Sequence, residues 1–179
     1  MELYGERGFD NTTVAEIAER AGLTERTFFR YFTDKREVLF GGAGALQELL
    51  VSQVLDAPAS MSPMEAIVAA LVEVAKIVFE DRRDFARRRR VIILASEELR
   101  EREEVKMASL ALALAAALRH RRVADLSASL AAEAGIAIFK IAFVRWTDDD
   151  GDPSLADVIR ECADELEIVT TGRGMPLQS

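Results

Sequence analysis

Between Thr24 and Tyr31 the chain places two guanidiniums (Arg26, Arg30), the Glu25 carboxylate, the Thr24 and Thr27 hydroxyls and two exposed-type rings (Phe29, Tyr31), with Lys35 just beyond. Guanidinium forks pair with phosphate or with the O6/N7 edge of guanine, and hydroxyl and ammonium groups donate to phosphate oxygens. Such a set recognises a charged, ordered surface and breaks no bonds. Elsewhere the residues that catalysis needs are sparse. His120 is the single histidine and stands between Arg119 and Arg121; Cys162 is the single cysteine and lies on an apolar stripe. No Cys/His cluster has zinc spacing, and no glycine-rich loop ends in Lys-Ser or Lys-Thr. Gly5-Glu-Arg-Gly8 only superficially resembles a nucleotide cradle, Gly8 being better explained as a helix end. Asp148, Asp149, Asp150 and Asp152 lack the distal Glu of a calcium loop and read as a solvated turn. No catalytic residue, metal or cofactor is expected, and the chain does not read as an enzyme.

The elements that would present this set are two short helices. Thr13 can cap the first while Glu16 reaches back to the Thr13 N–H, a capping box. Val14, Ile17, Ala18 and Ala21 then recur at helical spacing, and Gly22 supplies the positive φ that ends the helix. Thr24 caps the second helix after a turn of about three to four residues. Leu23, Phe28 and Phe32 are expected to face inward, leaving Glu25, Arg26, Thr27, Phe29 and Arg30 on the opposite surface, the geometry of a helix-turn-helix whose second helix enters a major groove.

From Tyr4 to Phe40 the chain resembles the DNA-binding domain of the TetR family of bacterial regulators. The resemblance rests on Tyr4, Gly8 and Phe9, the Thr-Thr-Val entry, Ile-Ala, Ala-Gly, Phe-Phe-Arg-Tyr-Phe and Lys35. It implies that Glu25, Arg26, Thr27 and Arg30 face bases or nearby phosphates, with Thr24 at the helix start, and that Thr13, Phe29, Tyr31 and Lys35 position the DNA backbone. Arg26 stands where many members have Gly, and Phe29 where many have Tyr. Losing the phenol removes a phosphate hydrogen bond. Members also begin with a basic arm and two or three turns of helix one; with only Met1 to Gly8 ahead of the motif, that helix is expected to be truncated or unusually short.

Composition fits two unequal domains, here 1–40 for DNA binding and 41–170 for a helical remainder, with a mobile tail over 171–179. Half of the 179 residues are apolar and the formal charge is −8, which opposes non-specific coating of nucleic acid. Against this, Arg26, Arg30, Lys35 and Arg36 face Asp34 alone in their strip. The longest charge-free stretch of the apolar second half, Met107 to Leu118, is shorter than the roughly 20 residues a bilayer crossing needs. With no secretory signal ahead of the motif, a cytoplasmic, non-membrane protein is expected.

Asp34 and Glu37 open a helix toward Leu55 that Gly41, Gly42 and Gly44 interrupt, either as a hinge or for close packing. After a linker, Ser62-Pro63-Met64-Glu65 starts a helix to Phe79. A short helix through Ile92 to Leu94 and one from Ser96 to Leu118 follow. Arg87 to Arg90 cover a full helical turn; they either pair with Glu97, Glu98 and Glu101 or lend one or two guanidiniums to an anionic effector. Two further apolar helices, one carrying Ile136 to Trp146 and one with Leu155, Val158, Ile159 and Cys162, suggest a four-helix homodimer interface built on Ile136, Trp146, Leu155, Val158, Ile159 and Cys162, as the family resemblance also implies. Phe79, Met107, Leu110, Phe139 and Phe143 are candidate walls of a ligand cavity, or plain core. The segments Arg88 to Leu94 and Phe143 to Pro153 look like those of an actinobacterial branch associated with acyl-CoA-like ligands. The expectation is an all-α homodimeric repressor, with a helix-turn-helix domain and a helical ligand-binding and dimerisation domain, that leaves a palindromic double-stranded operator when a small apolar or amphipathic, acyl-CoA-like effector binds. The alternative is a hydrophobic-ligand-binding dimer with weak or lost DNA binding.

Overall fold

The computed structural model describes residues 1–151 and 153–172, so Asp152 of the carboxylate turn and residues 173–179 of the tail lie outside the described residues. Among the described residues ten helices follow in order: α1 (Glu2–Arg7), α2 (Val14–Arg20), α3 (Glu25–Tyr31), α4 (Glu37–Phe40), α5 (Ala43–Asp56), α6 (Pro63–Phe79), α7 (Arg83–Leu94), α8 (Glu97–His120), α9 (Asp125–Asp148) and α10 (Leu155–Thr171). No strand occurs among the described residues, and the fold is all-α with an N-terminal helix-turn-helix and a C-terminal helical domain.

Local chemistry sets several helix starts. Thr13 and Glu16 form the reciprocal box of α2, and Ser62 and Glu65 form that of α6, with Pro63 in its first turn. The Thr24 and Ser154 hydroxyls accept from Thr27 N and Asp157 N to open α3 and α10. Gly22 ends α2 at φ 67°, letting the Leu23 N–H return to the Ala18 carbonyl at 2.8 Å. Leu23, expected inward, is 44% exposed where this cap ends α2. Asp34 caps from outside its helix: Oδ1 accepts from Arg36 N at 2.8 Å and Glu37 N at 3.3 Å. The helix anticipated from Asp34 to Leu55 is split into α4 and α5 at Gly41-Gly42.

The chain forms two compact units, and neither is one continuous stretch. The first comprises Met1–Ala45 with Asp84–Lys106; the second comprises Leu46–Arg83 with the chain from Met107 on. In the first, Tyr4, Phe9, Leu39, Phe40, Ile92, Ile93 and Leu99 make the core. At about 1.5–3 kcal/mol for each large side chain fully buried, this cluster outweighs the surface ion pairs around it. In the second unit α6, α9 and α10 pack on one another. Gly135 of α9 lets α6 approach so closely that a Cβ there would stand 2.2 Å from Ile67 Cγ2. The stretch Glu37–Asp56 and α9 are long and apolar enough to cross a membrane by length and composition, a test that core helices of soluble proteins also pass, and they do not indicate a membrane protein.

Candidate nucleic-acid interface and effector domain

Helix α3 exposes Glu25, Arg26, Phe29 and Arg30. Their i, i+1, i+4, i+5 spacing puts two guanidiniums, a carboxylate and a ring on one face. Phe29 is 54% and Tyr31 67% exposed. Large rings left this open by a folded chain are available to a partner surface. Phe28 is buried beneath them, against Phe32 at 5.1 Å between centroids, and fixes the helix from below. Arg30 is already committed locally, its Nη2 donating to Tyr31 Oη at 3.0 Å and its guanidinium lying 4.8 Å from that ring's centroid. Arg26 stands out from the same helix as the exposed fork of the face. Thr27 is half-buried, and its hydroxyl shares a 3.1 Å hydrogen bond with Thr24. Thr13 caps α2, and Glu16 is held below its ordinary pKa by the Thr13 backbone N–H first, then the Thr13 hydroxyl, with Arg7 at 2.6 Å adding to it.

Lys35 does something the sequence does not announce. Expected at the DNA backbone, its ammonium instead donates to the carbonyls of Phe9 (2.8 Å), Thr12 (3.0 Å) and Asp10 (3.4 Å), and lies 4.3 Å from the Phe9 ring centroid. Its three donors are occupied, so it staples the α1–α2 turn to the α3–α4 turn. Tyr4 completes the staple by donating its hydroxyl to the Lys35 carbonyl at 2.5 Å. Burial, with Asp34 adding to it, pushes the Tyr4 phenol well up, so it stays a donor at neutral pH.

Further cations of this unit converge on α4. Arg89 of α7 donates Nε to Leu39 O at 2.9 Å and forks onto Glu103 at 3.0 and 2.8 Å; Lys106 of α8 donates to Phe40 O at 3.0 Å. Both also lie over the Phe40 ring, at 5.0 and 4.8 Å. Burial lowers the Lys106 pKa, with Arg102 and Arg89 acting in the same direction and Glu37 opposing. Of the run Arg87 to Arg90, then, Arg89 is an internal tether, and Glu98, one partner considered for the run, pairs with Arg36 at 2.9 Å.

In the second unit Phe79, Phe139, Phe143 and Trp146 form one aromatic cluster, with centroid separations from 5.7 to 6.2 Å. Phe79, Phe139 and Phe143 are half-buried, as is Met107, whereas Leu110 is buried. Arg83 fixes the end of α9 over this cluster by donating to Trp146 O at 2.8 Å and to the carbonyls of Asp149 and Gly151. A recess of about 360 Å³ opens in the first unit beside Leu3, Tyr4, Ile17 and Val38; the five predicted ligand-lining residues do not border it. The six predicted dimer residues, Ile136, Trp146, Leu155, Val158, Ile159 and Cys162, are all buried within the single chain. The sequence showed that these stripes need a cover, and α6 with the α9–α10 contact supplies it. The apolar side chains that α9 leaves open are Leu126, Leu130, Ile141 and Val144, three to four residues apart or multiples of that. Among the described residues no group of three or more His, Cys, Asp or Glu is placed to hold a metal ion.

A capped three-helix head with an open cationic α3 face and a separate all-helical unit is the architecture of a helix-turn-helix regulator. Residues 1–40 match the family described as bacterial regulatory proteins, tetR family, and residues 61–171 match the MftR C-terminal domain. The chain belongs to the TetR family of bacterial regulatory proteins, whose members are DNA-binding and ligand-responsive transcriptional regulators. It is 36% identical over 70 residues to the HTH-type transcriptional regulator TcmR of Streptomyces glaucescens, covering 39% of this chain and 31% of that protein. It is 29% identical over 100 residues to the putative mycofactocin biosynthesis transcriptional regulator MftR of Mycobacterium tuberculosis, covering 55% of this chain and 50% of that one. The chain thus spans half or less of the curated relatives it matches. Among solved structures it shares its fold with Thermus thermophilus FadR in complex with lauroyl-CoA (TM-score 0.57, 22% identity, 99% and 93% of the two chains). The fold is also that of PfmR from Thermus thermophilus (TM-score 0.53, 24% identity, 97% and 96%).

Proposed function

We propose that this chain is a ligand-responsive transcriptional repressor that binds a palindromic operator as a homodimer. The observation that carries the reading is the Glu25, Arg26, Phe29, Arg30 face, held open on a capped helix within a tetR-type domain. Arg26 reads a base edge, the Phe29 ring packs on sugar or a thymine methyl, and Arg30 with Tyr31 meets the backbone. Two such helices enter successive major grooves about 34 Å apart. The second subunit docks on the open stripe of α9, Leu126 through Val144, since the inner stripes of α9 and α10 are already covered. The effector is apolar or amphipathic, of acyl-CoA-like class, and loosens the aromatic cluster that Phe79, Phe139 and Phe143 form. Its binding changes the separation of the two heads, a coupling between sites.

The test is selection of bound duplexes from a random library at about 150 mM salt, where non-specific attraction is weakened. A palindromic site is the expected result. A dimer that selects no site and yet retains a hydrophobic probe overturns the repressor reading in favour of ligand sequestration.

A further inference from the structure

The last carbonyls of a helix lack intrahelical partners, and α4 is short enough that this defect concerns most of it. It comprises Glu37 to Phe40, and its first carbonyl accepts from the Gly41 N–H at 2.7 Å. The Leu39 and Phe40 carbonyls are taken by Arg89 and Lys106, from positions 50 and 66 residues away in sequence. Cations at a helix C-terminus also suit its dipole. The same two cations lie over the buried Phe40 ring, so donors and charges act on one residue pair.

Magnitudes separate this pair from its neighbours. Arg36–Glu98 and Arg102–Glu37 also reach α4 and its approach, but Glu98 and Arg102 are more than a third exposed, where ion pairs contribute little. Arg89 and Glu103 retain 18% and 27% exposure and meet through two parallel bonds. Glu103 thereby aims Arg89 at Leu39 O. Between α4 and α3 the chain is pinned by Tyr4 and Lys35, so α4's attitude passes to α3 with little slack. After α4 come Gly41 and Gly42. A Cβ at Gly42 or Gly44 would meet nothing within 4 Å, so close packing does not explain those glycines.

We propose that Arg89 and Lys106 are positioning residues for DNA reading: they touch no DNA, but by capping the last turn of α4 they fix the attitude at which α3 is presented. The inference rests on the DNA-binding reading above, and its test has one arm that needs no DNA. Arg89→Met, Lys106→Met and the double variant are compared with the parent by residue-resolved amide exchange. The Gly41 amide is expected to exchange about tenfold faster for each lost cap, while α2 and α3 amides keep parental protection. Unchanged Gly41 exchange overturns the proposal. In the second arm, affinity for the duplex selected by the parent should fall about tenfold while the slope of log affinity against log salt stays parental, because no phosphate contact is lost. A slope reduced by about one makes the residue a phosphate ligand and overturns the proposal, as does unchanged affinity. If Arg89→Met does not fold, Lys106→Met, at a half-exposed position, carries both arms, and Lys106→Arg should restore the parental values. A parent that selects no duplex refutes the regulator reading and leaves the exchange arm to decide this one.

Discussion

Gly135→Ala tests the α6–α9 crossing that holds the aromatic cluster and the open α9 stripe. The added Cβ would lie 2.2 Å from Ile67 Cγ2 and 3.6 Å from Ile67 Cβ, with Leu71 Cδ1 at 3.9 Å. Carbon atoms rest at about 3.5–4.0 Å, so the helices must part by more than about an ångström or Ile67 must leave its rotamer. Ile67 is fully buried. Overpacking of this kind costs about 1–3 kcal/mol, against which Ala gains about 1 kcal/mol over Gly in a helix interior. A 2.2 Å approach to a fully buried side chain belongs in the upper half of that range, about 2–3 kcal/mol, so the net expectation is a loss of about 1–2 kcal/mol, or about 2–8 °C in Tm for a chain of this size. The assay is urea and thermal unfolding followed through Trp146, the single tryptophan, which lies in the same unit. Ile67→Ala alone should cost about 2–5 kcal/mol, and the pair should cost less than the sum by about 1 kcal/mol or more, since the methyl added at position 135 enters the space Ile67 leaves. A Gly135→Ala protein as stable as its parent, or strict additivity in the pair, would refute the crossing.

Four further outcomes follow from the site. Arg26→Ala should cost about 1–3 kcal/mol of operator affinity and relax preference at one base, read by repeating the duplex selection; equal loss on every sequence would exclude direct readout. Lys35→Met should destabilise the head by about 2–3 kcal/mol in denaturant melts, because a charged donor is removed from three carbonyls, with the salt dependence of DNA binding unchanged. Leu130→Glu should convert a dimer to a monomer in sedimentation equilibrium, whereas a parental dimer would place the interface away from α9's open face. The Asp34 carboxyl is held below its ordinary value of 3.8 by the Arg36 side chain first, with the Arg36 and Glu37 N–H groups adding to it. Its contribution is therefore present above that value and is lost as pH falls through the lower folded value. Asp34→Asn should be less stable than the parent near neutrality, with the gap closing in acid melts; a constant gap would mean that the charge contributes nothing.

What the sequence made legible was what short range decides. The Thr13 and Ser62 boxes, the Thr24 cap and the Gly22 turn involve partners at most five residues apart, so composition at fixed offsets is enough to read them. The exposed face of α3 follows from the same periodicity. Faces, however, do not name their neighbours. The stripe from Leu155 to Cys162 demanded a cover, and nothing in its spacing distinguished α6 of the same chain from a second subunit. Leu126 and Leu130, the side chains left open, stand outside the densest apolar run, so spacing alone does not single them out. The inward turn of Lys35 and the roles of Arg89 and Lys106 were illegible for another reason. Their acceptors are backbone carbonyls, which every residue carries, so no residue type marks the far end of the bond. Gly135 was likewise silent, since its meaning lies wholly in the Ile67 side chain across from it.

The two-piece make-up of the first unit bears on how such proteins can be recombined. A chimera joined after residue 40, where the family match for the head ends, would keep α1 to α4 and discard α7 and the first half of α8. It would carry Leu39 and Phe40 carbonyls with no donors and a Phe40 ring with neither cation. The transplantable head is instead a pair of segments, 1–45 and 84–106. Such a graft has three junctions, after residues 45, 83 and 106, and the last falls inside the continuous helix α8, where it can be made in helical register.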